Sequence, residues 1–139
     1  MDPPHTQKPL ELILARNLLT SISTPGFLLD DKASLVFYNE AAAALLGRSF
    51  EDAGPMTAEQ WTHAFGPFTS DGRPADVDEL TVTESIRAGR PAHAKFQIRT
   101  GAGTTETIEA SAFPIVASEH GSSGAMVLFW RLGENGGAR

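Results

Sequence analysis

The sequence predicts an α+β fold: a five-stranded antiparallel sheet, helices crossing one of its faces, and a further helix flanking it at the N-terminus. Three features carry this. Apolar residues recur at helical spacing near the start and in short mid-chain stretches, whereas the last third alternates with a period of two. Between residues 26 and 47 two short apolar runs flank a polar turn and lead directly into a capped helix. Finally, Ala125-Met-Val-Leu-Phe-Trp-Arg131 is apolar on both sides, so that strand should be central or covered.

Residues 1 to 8 are polar and proline-rich and are expected to be disordered. From Pro9 a helical pattern begins, with Leu10, Ile13, Leu14, Asn17, Leu18 and Ile22 forming one apolar stripe. Leu12 and Leu19 lie off that stripe. They read either as a widened core-facing surface or as a face that meets a second subunit. Pro25-Gly26 breaks the helix. Gly26 to Asp30 and Val36 to Tyr38 then read as strands joined by a hairpin at Asp31-Lys32. Asn39 suits an N-cap, Glu40 the positive end of the helix dipole, Leu45 and Leu46 the helix body, and Gly47 its left-handed end.

Residues 48 to 77 are looser and rich in Gly, Pro and Asp, with turn signals at Gly66-Pro67 and Asp71-Gly72. Within them Thr57-Ala-Glu-Gln60 fits a capping box, followed by Trp61 and Phe65 on one helical face. Thr81-Val-Thr-Glu84 fits a second capping box, for a helix carrying Val82 and Ile86 on one face and ending at Gly89. Residues 92 to 99 and 104 to 116 alternate as strands around a Gly101-Ala-Gly103 turn. A loop, His120-Gly-Ser-Ser-Gly124, precedes the last strand, and residues 133 to 139 form a polar, glycine-rich tail. The domain therefore spans residues 9 to 132, in the order helix, two strands, three short helices, three strands. Helices inserted between the second and third strands must cross one sheet face. They enclose a space where a small molecule could sit.

Composition narrows the chemistry. With 139 residues the chain suits one domain with its own core. It has no cysteine, which excludes disulfides, thiolate zinc sites, a cysteine nucleophile and flavin photochemistry through a cysteine adduct. The net charge of −6 argues against nucleic-acid binding. No apolar run approaches the ~20 residues that span a membrane, and Met-Asp-Pro-Pro-His is unlike a secretory signal. A cytoplasmic location is expected. There is no Gly-x-Ser-x-Gly elbow, phosphate loop or His-Glu-x-x-His metal motif. Asp30-Asp31 and Asp76 with Asp78 fall in predicted turns, where Asp serves local backbone hydrogen bonds. No catalytic or metal-binding residue is assigned, and an enzyme is not expected.

Taken in order, Gly26-Phe-Leu-Leu-Asp30, Val36-Phe-Tyr-Asn39-Glu-Ala41, Leu46-Gly47, Asp78-Glu-Leu80, Ile86-Arg-Ala-Gly89, Ser111-Ala-Phe-Pro114-Ile and Gly124-Ala-Met-Val-Leu-Phe-Trp130 resemble a bacterial PAS domain. Thr100-Gly-Ala-Gly103-Thr stands where that family usually has an Asp-Gly turn, and two departures stand out: Arg131-Leu132-Gly133 replaces the family's terminal Asp-Ile-Thr, and the sequence ends within a few residues of it. The resemblance implies a sensory or interaction module for signal transduction that binds a small ligand or a partner protein. It also implies homodimerisation through the N-terminal helix. With no output domain following, such a module would act in trans on a signalling partner or be an excised piece of a longer protein. A ligand-free dimerisation module is the alternative. A cone-shaped fold of the nuclear-transport-factor-2-like kind, which hosts small enzymes, is a third.

Candidate ligand-lining residues are Trp61, Phe65, Leu80, Ile86, Phe96, Ile98, Val127 and Phe129. Their structural reading is a closed core; their functional reading is an apolar cavity with few polar anchors. The resemblance implies that haem would take a histidine from the helix before the third strand, and Thr81 to Ala88 contains none. His63 lies on the preceding helix, where it reads as a surface residue, and His93 at a strand start. A flavin held without cysteine would use Trp61 for stacking and Asn39 for a hydrogen bond; against this, Trp61 and Phe65 read as core and Asn39 as a cap.

Overall fold

A computed structural model of the chain describes residues 10–68, 71–76, 80–117 and 121–132. The period-two segments form β1 (Gly26–Asp30), β2 (Leu35–Tyr38), β3 (Ala92–Arg99), β4 (Thr105–Ala117) and β5 (Gly121–Arg131). They make one antiparallel sheet in the order β2-β1-β5-β4-β3. β5 is central, as its two-sided apolar pattern requires. Ala125, Val127 and Phe129 pack into the main core, while Met126 and Leu128 pack on the opposite face.

The anticipated loop at 120–124 is partly strand. Gly121 pairs with Ala117 and Gly124 with Ile115 across a bulge, so β4 and β5 form a longer hairpin than side-chain pattern alone suggests. Backbone pairing does not need apolar side chains. At Gly124, moreover, a Cβ would run into the Leu29 carbonyl, so glycine lets β5 lie against β1.

Helices α1 (Leu10–Thr20), α2 (Glu40–Leu46), α3 (Phe50–Ala53), α4 (Ala58–Ala64) and α5 (Thr81–Ala88) complete the order. Among the described residues the crossover thus holds four helices rather than three. The unanticipated α3 is a single turn, capped by Ser49 and closed at Gly54, too short to leave a periodicity. Its Phe50 packs edge-on against Phe37 and Tyr38. The Thr57–Gln60 capping box forms as expected. The one expected at Thr81–Glu84 does not. Thr81 is already the first helical residue, and the cap position falls on Leu80, whose side chain makes no cap bond. Burial of Leu80 in the core starts the helix one residue early.

The helix α1 presents the opposite face to the one its stripe suggested. Leu12, Ala15 and Leu19 are buried with Leu28, while Leu10, Ile13, Leu14 and Leu18 are exposed. The true core stripe is Leu12, Ala15, Leu19 and Ile22, and its small residue Ala15 hid it. Asn39 fixes this seat. Its side-chain oxygen accepts from the Gly26 and Ala42 N–H groups, both at 3.0 Å, and its amide donates to the Leu19 and Thr24 carbonyls at 3.0 and 2.9 Å. One buried side chain therefore joins the end of α1, the start of β1 and the cap of α2, with all four hydrogen-bonding positions used. Gly47 and Gly101 lock the other side of α2. A Cβ on either would come within 2.6 Å of the other's Cα, and the Gly101 N–H donates to the Leu45 carbonyl.

The segments expected to be disordered or flexible, 1–8 and 133–139, lie outside the described residues, as do Asp78 and His120.

Candidate functional site

The alternation of β1, β3, β4 and β5 turns one row of apolar side chains toward the crossover helices. Between them lies a partly enclosed cavity of about 60 Å³. From α4, Trp61 and the following Phe65 reach in from one side. The Trp61 indole N–H donates to the Ala33 carbonyl at 2.9 Å, which pins the ring to the β1–β2 turn. That turn is built by Asp30, whose carboxylate accepts from the Lys32 and Ser34 N–H groups, the local role expected of it. Phe27 sits at the centre of an aromatic cluster, edge-on to Trp61 and Phe129 at centroid distances of 6.0 and 5.3 Å.

The wall beside β3 is a strap. The Arg99 N–H donates to the Phe65 carbonyl at 2.9 Å, and the Phe68 N–H donates to Gln97 at 3.1 Å. The Arg99 guanidinium lies 4.6 Å over the Phe68 ring. Gly66 and Pro67 are thereby held against the cavity.

Every lining residue anticipated from sequence borders this space except Ile86. Ile86 is only partly buried; its helix turns Val82 and Ser85 inward, and Ser85 donates to the Arg90 carbonyl at 2.7 Å. The sequence reading passed over Phe27, Leu29 and Leu46 in the first half of the wall, and Ile108, Ala110 and Ala112 on β4. The signal for them was present. Phe27 and Ala112 both stand in register with Val127, so alternation counted from Val127 reaches each. Thr81 and Val82 also line the space, an assignment that depends on where α5 begins.

Chemically the cavity is plain. Among the described residues no charged side chain lines it, and the polar side-chain groups are the Thr81 hydroxyl and the already bonded Trp61 indole. No cluster of metal-ligating groups occurs among the described residues. Neither histidine weighed for haem reaches it. His63 is exposed, its Nδ1 2.8 Å from the Glu59 carbonyl oxygen of its own helix. His93 is exposed too, with Nδ1 2.9 Å from Ser111 Oγ and Nε2 2.8 Å from Glu109. Asn39 is fully engaged in the backbone joint and contributes nothing to the lining. Burial pushes the Tyr38 hydroxyl pKa up, and it donates to the Arg48 carbonyl at 2.7 Å. The His93 hydrogen bond lowers the Glu109 pKa.

The opposite side carries exposed apolar side chains around α1, beside the polar His93, Ser111 and Glu109 of β3 and β4. Leu10, Leu14 and Leu18 on α1 are 65, 57 and 53% exposed, and Phe113 and Trp130 stand partly exposed on the strands. No helix among the described residues is long and apolar enough to cross a membrane.

No protein-family model and no curated relative matches the chain. Its likenesses are among solved structures. A PAS domain from a two-component sensor histidine kinase is 21% identical, with a TM-score of 0.57 over 88% of this chain and 96% of that one. The PAS domain of Bordetella pertussis BvgS is 16% identical, with a TM-score of 0.60 over 92% of this chain and 90% of that one. The Rhodobacter sphaeroides LOV protein is 11% identical, with a TM-score of 0.71 over 94% of this chain and 72% of that one. At such identities the likeness is one of fold.

Proposed function

From a chain whose fold is that of the PAS domains, we propose a sensory module for signal transduction in which a small molecule in the inner cavity sets the state of the outer, α1-covered face. The observation that carries this is the placement of the two surfaces on one strand. In β5, Val127 and Phe129 line the cavity while Met126 and Leu128 pack in the cluster formed by α1. A shift of this strand on ligand binding is therefore felt on both faces. Two solved neighbours come from a two-component sensor histidine kinase and a fungal LOV photoreceptor, which supports the same reading. The module is non-catalytic in this account and cytoplasmic, and it acts on a protein partner.

The exposed stripe of α1 favours a second reading, in which the module also pairs with another copy of itself through that helix. Its contact residues would be Leu10, Ile13, Leu14 and Leu18; Leu12 and Leu19, the residues singled out from sequence, are committed to the core.

Native mass spectrometry with absorption spectroscopy on the purified chain separates these readings. Added mass without visible absorbance supports the sensor. A bare dimer supports pairing alone. A monomer at high concentration contradicts pairing, and a bare chain that takes up no added guest contradicts the sensor.

A further inference from the structure

The lining specifies what the cavity can hold, and we propose that its ligand is an uncharged, hydrocarbon-like molecule no larger than a single ring. The inference rests on the sensory reading of the same site. Three observations lead to it.

The first is the absence of an anchor for charge. A carboxylate, phosphate or ammonium placed against Phe27, Leu29, Ile108 and Val127 would lose its water and meet no counter-ion among the described residues. The second is that, apart from the Thr81 hydroxyl, the polar groups on the wall are engaged within the protein. The Trp61 N–H is bonded to Ala33, and the backbone at Phe65 and Phe68 is bonded to β3. A flavin ring edge or haem propionates would find one side-chain hydroxyl, that of Thr81, and no cation among the described residues. The third is size. About 60 Å³ is less than half of the ~150 Å³ at which an engineered cavity lined by Leu, Ile and Phe stays dry and binds benzene or xenon. A xenon-sized guest fits as the cavity stands. A six-membered ring fits if the strap at Gly66-Pro67 yields slightly; two backbone hydrogen bonds and one cation–π contact tie that strap to β3, the Gly66 N–H donates to the Thr62 carbonyl, and the Pro67 carbonyl accepts from the Ala75 N–H.

The test is methyl NMR on the full chain with three probes: xenon, benzene and benzoate. Xenon and benzene should move the Leu29, Ile108 and Val127 methyls saturably and leave Leu14 and Leu18 unmoved. Benzoate, the same ring with a charge, should bind at least about 100-fold more weakly than benzene. Ala112→Val, which adds two methyl groups to the wall, should abolish the benzene shifts. Benzoate binding as well as benzene would overturn the ligand class and leave the cavity reading standing. No response to any probe, or shifts confined to Leu14 and Leu18, would overturn the cavity reading with it. Undiminished benzene binding in a folded Ala112→Val chain would place the guest elsewhere and also overturn the proposal.

Discussion

Replacing Asn39 tests how the two faces of the sheet are joined. In Asn39→Ala the α2 cap is lost, worth about 1 kcal/mol. The Gly26 N–H, bonded at 3.0 Å to the Asn39 oxygen in a buried setting, loses that partner, at about 1–3 kcal/mol. The Leu19 and Thr24 carbonyls lose their amide donor as well. The sum is roughly 4 kcal/mol, a large part of the ~5–15 kcal/mol that holds a domain together. With an m-value of about 2 kcal/mol/M, the urea midpoint should fall by roughly 2 M. Intrinsic fluorescence of Trp61 and Trp130 reports the transition. Asn39→Asp is the control. It keeps the acceptor for Gly26 and Ala42 but points an oxygen at two carbonyls, so it should be destabilised at neutral pH. That setting raises the introduced carboxyl's folded-state pKa above its unfolded value. Its deficit should therefore shrink as pH falls through the folded pKa, when a proton supplies the missing donor. A loss below 1 kcal/mol in Asn39→Ala, or a deficit in Asn39→Asp that grows on acidification, would show that Asn39 does not join these elements.

Other outcomes follow from the same geometry. Leu19→Glu should cost at least about 3 kcal/mol by burying an unpaired charge, whereas Leu14→Glu with Leu18→Glu should leave the melting temperature within a few degrees and remove any self-association seen by light scattering. Gly47→Ala combines a φ of 83° with a Cβ pressed against Gly101 and should cost roughly 3 kcal/mol in thermal unfolding. The His93 hydrogen bond keeps the folded Glu109 pKa below its ordinary 4.5, so its stabilisation is present above that pH and is lost as pH falls through the folded pKa; Glu109→Gln should flatten this part of the acid-unfolding curve. Burial raises the Tyr38 pKa above 10.0, so its stabilisation is lost as pH rises past that value; Tyr38→Phe should blunt the alkaline transition and lower stability at neutral pH by about 1 kcal/mol.

The fold was legible where one physical cause acts alone. The caps at Asn39, Thr57 and Gly47, the alternation of 92–99, and the two-faced apolar run ending at Arg131 each have a local reason, and each stands where that reason puts it. Legibility failed where tertiary contacts choose between equal local options. Both faces of α1 are apolar, and the choice went to the side with Ala15, against which the sheet can close. At α5 the hydroxyl cap at Thr81 lost to burial of Leu80. The cavity wall was half legible for a related reason. Trp61, Phe65 and Phe129 announce themselves by size, while Ala110 and Ala112, which leave the room, show in the sequence only as one face of an alternating strand, and it is their register with β5 that puts them on the wall.

If the sensory reading holds, occupancy of the inner cavity is felt on the outer face. Amide hydrogen exchange, with and without saturating benzene, measures this directly. Protection should change in the cavity strands and also in α1 and at the Asn39-linked amides of Gly26 and Ala42. Changes confined to the cavity lining, with α1 exchanging at the same rate in both states, would contradict the sensory reading.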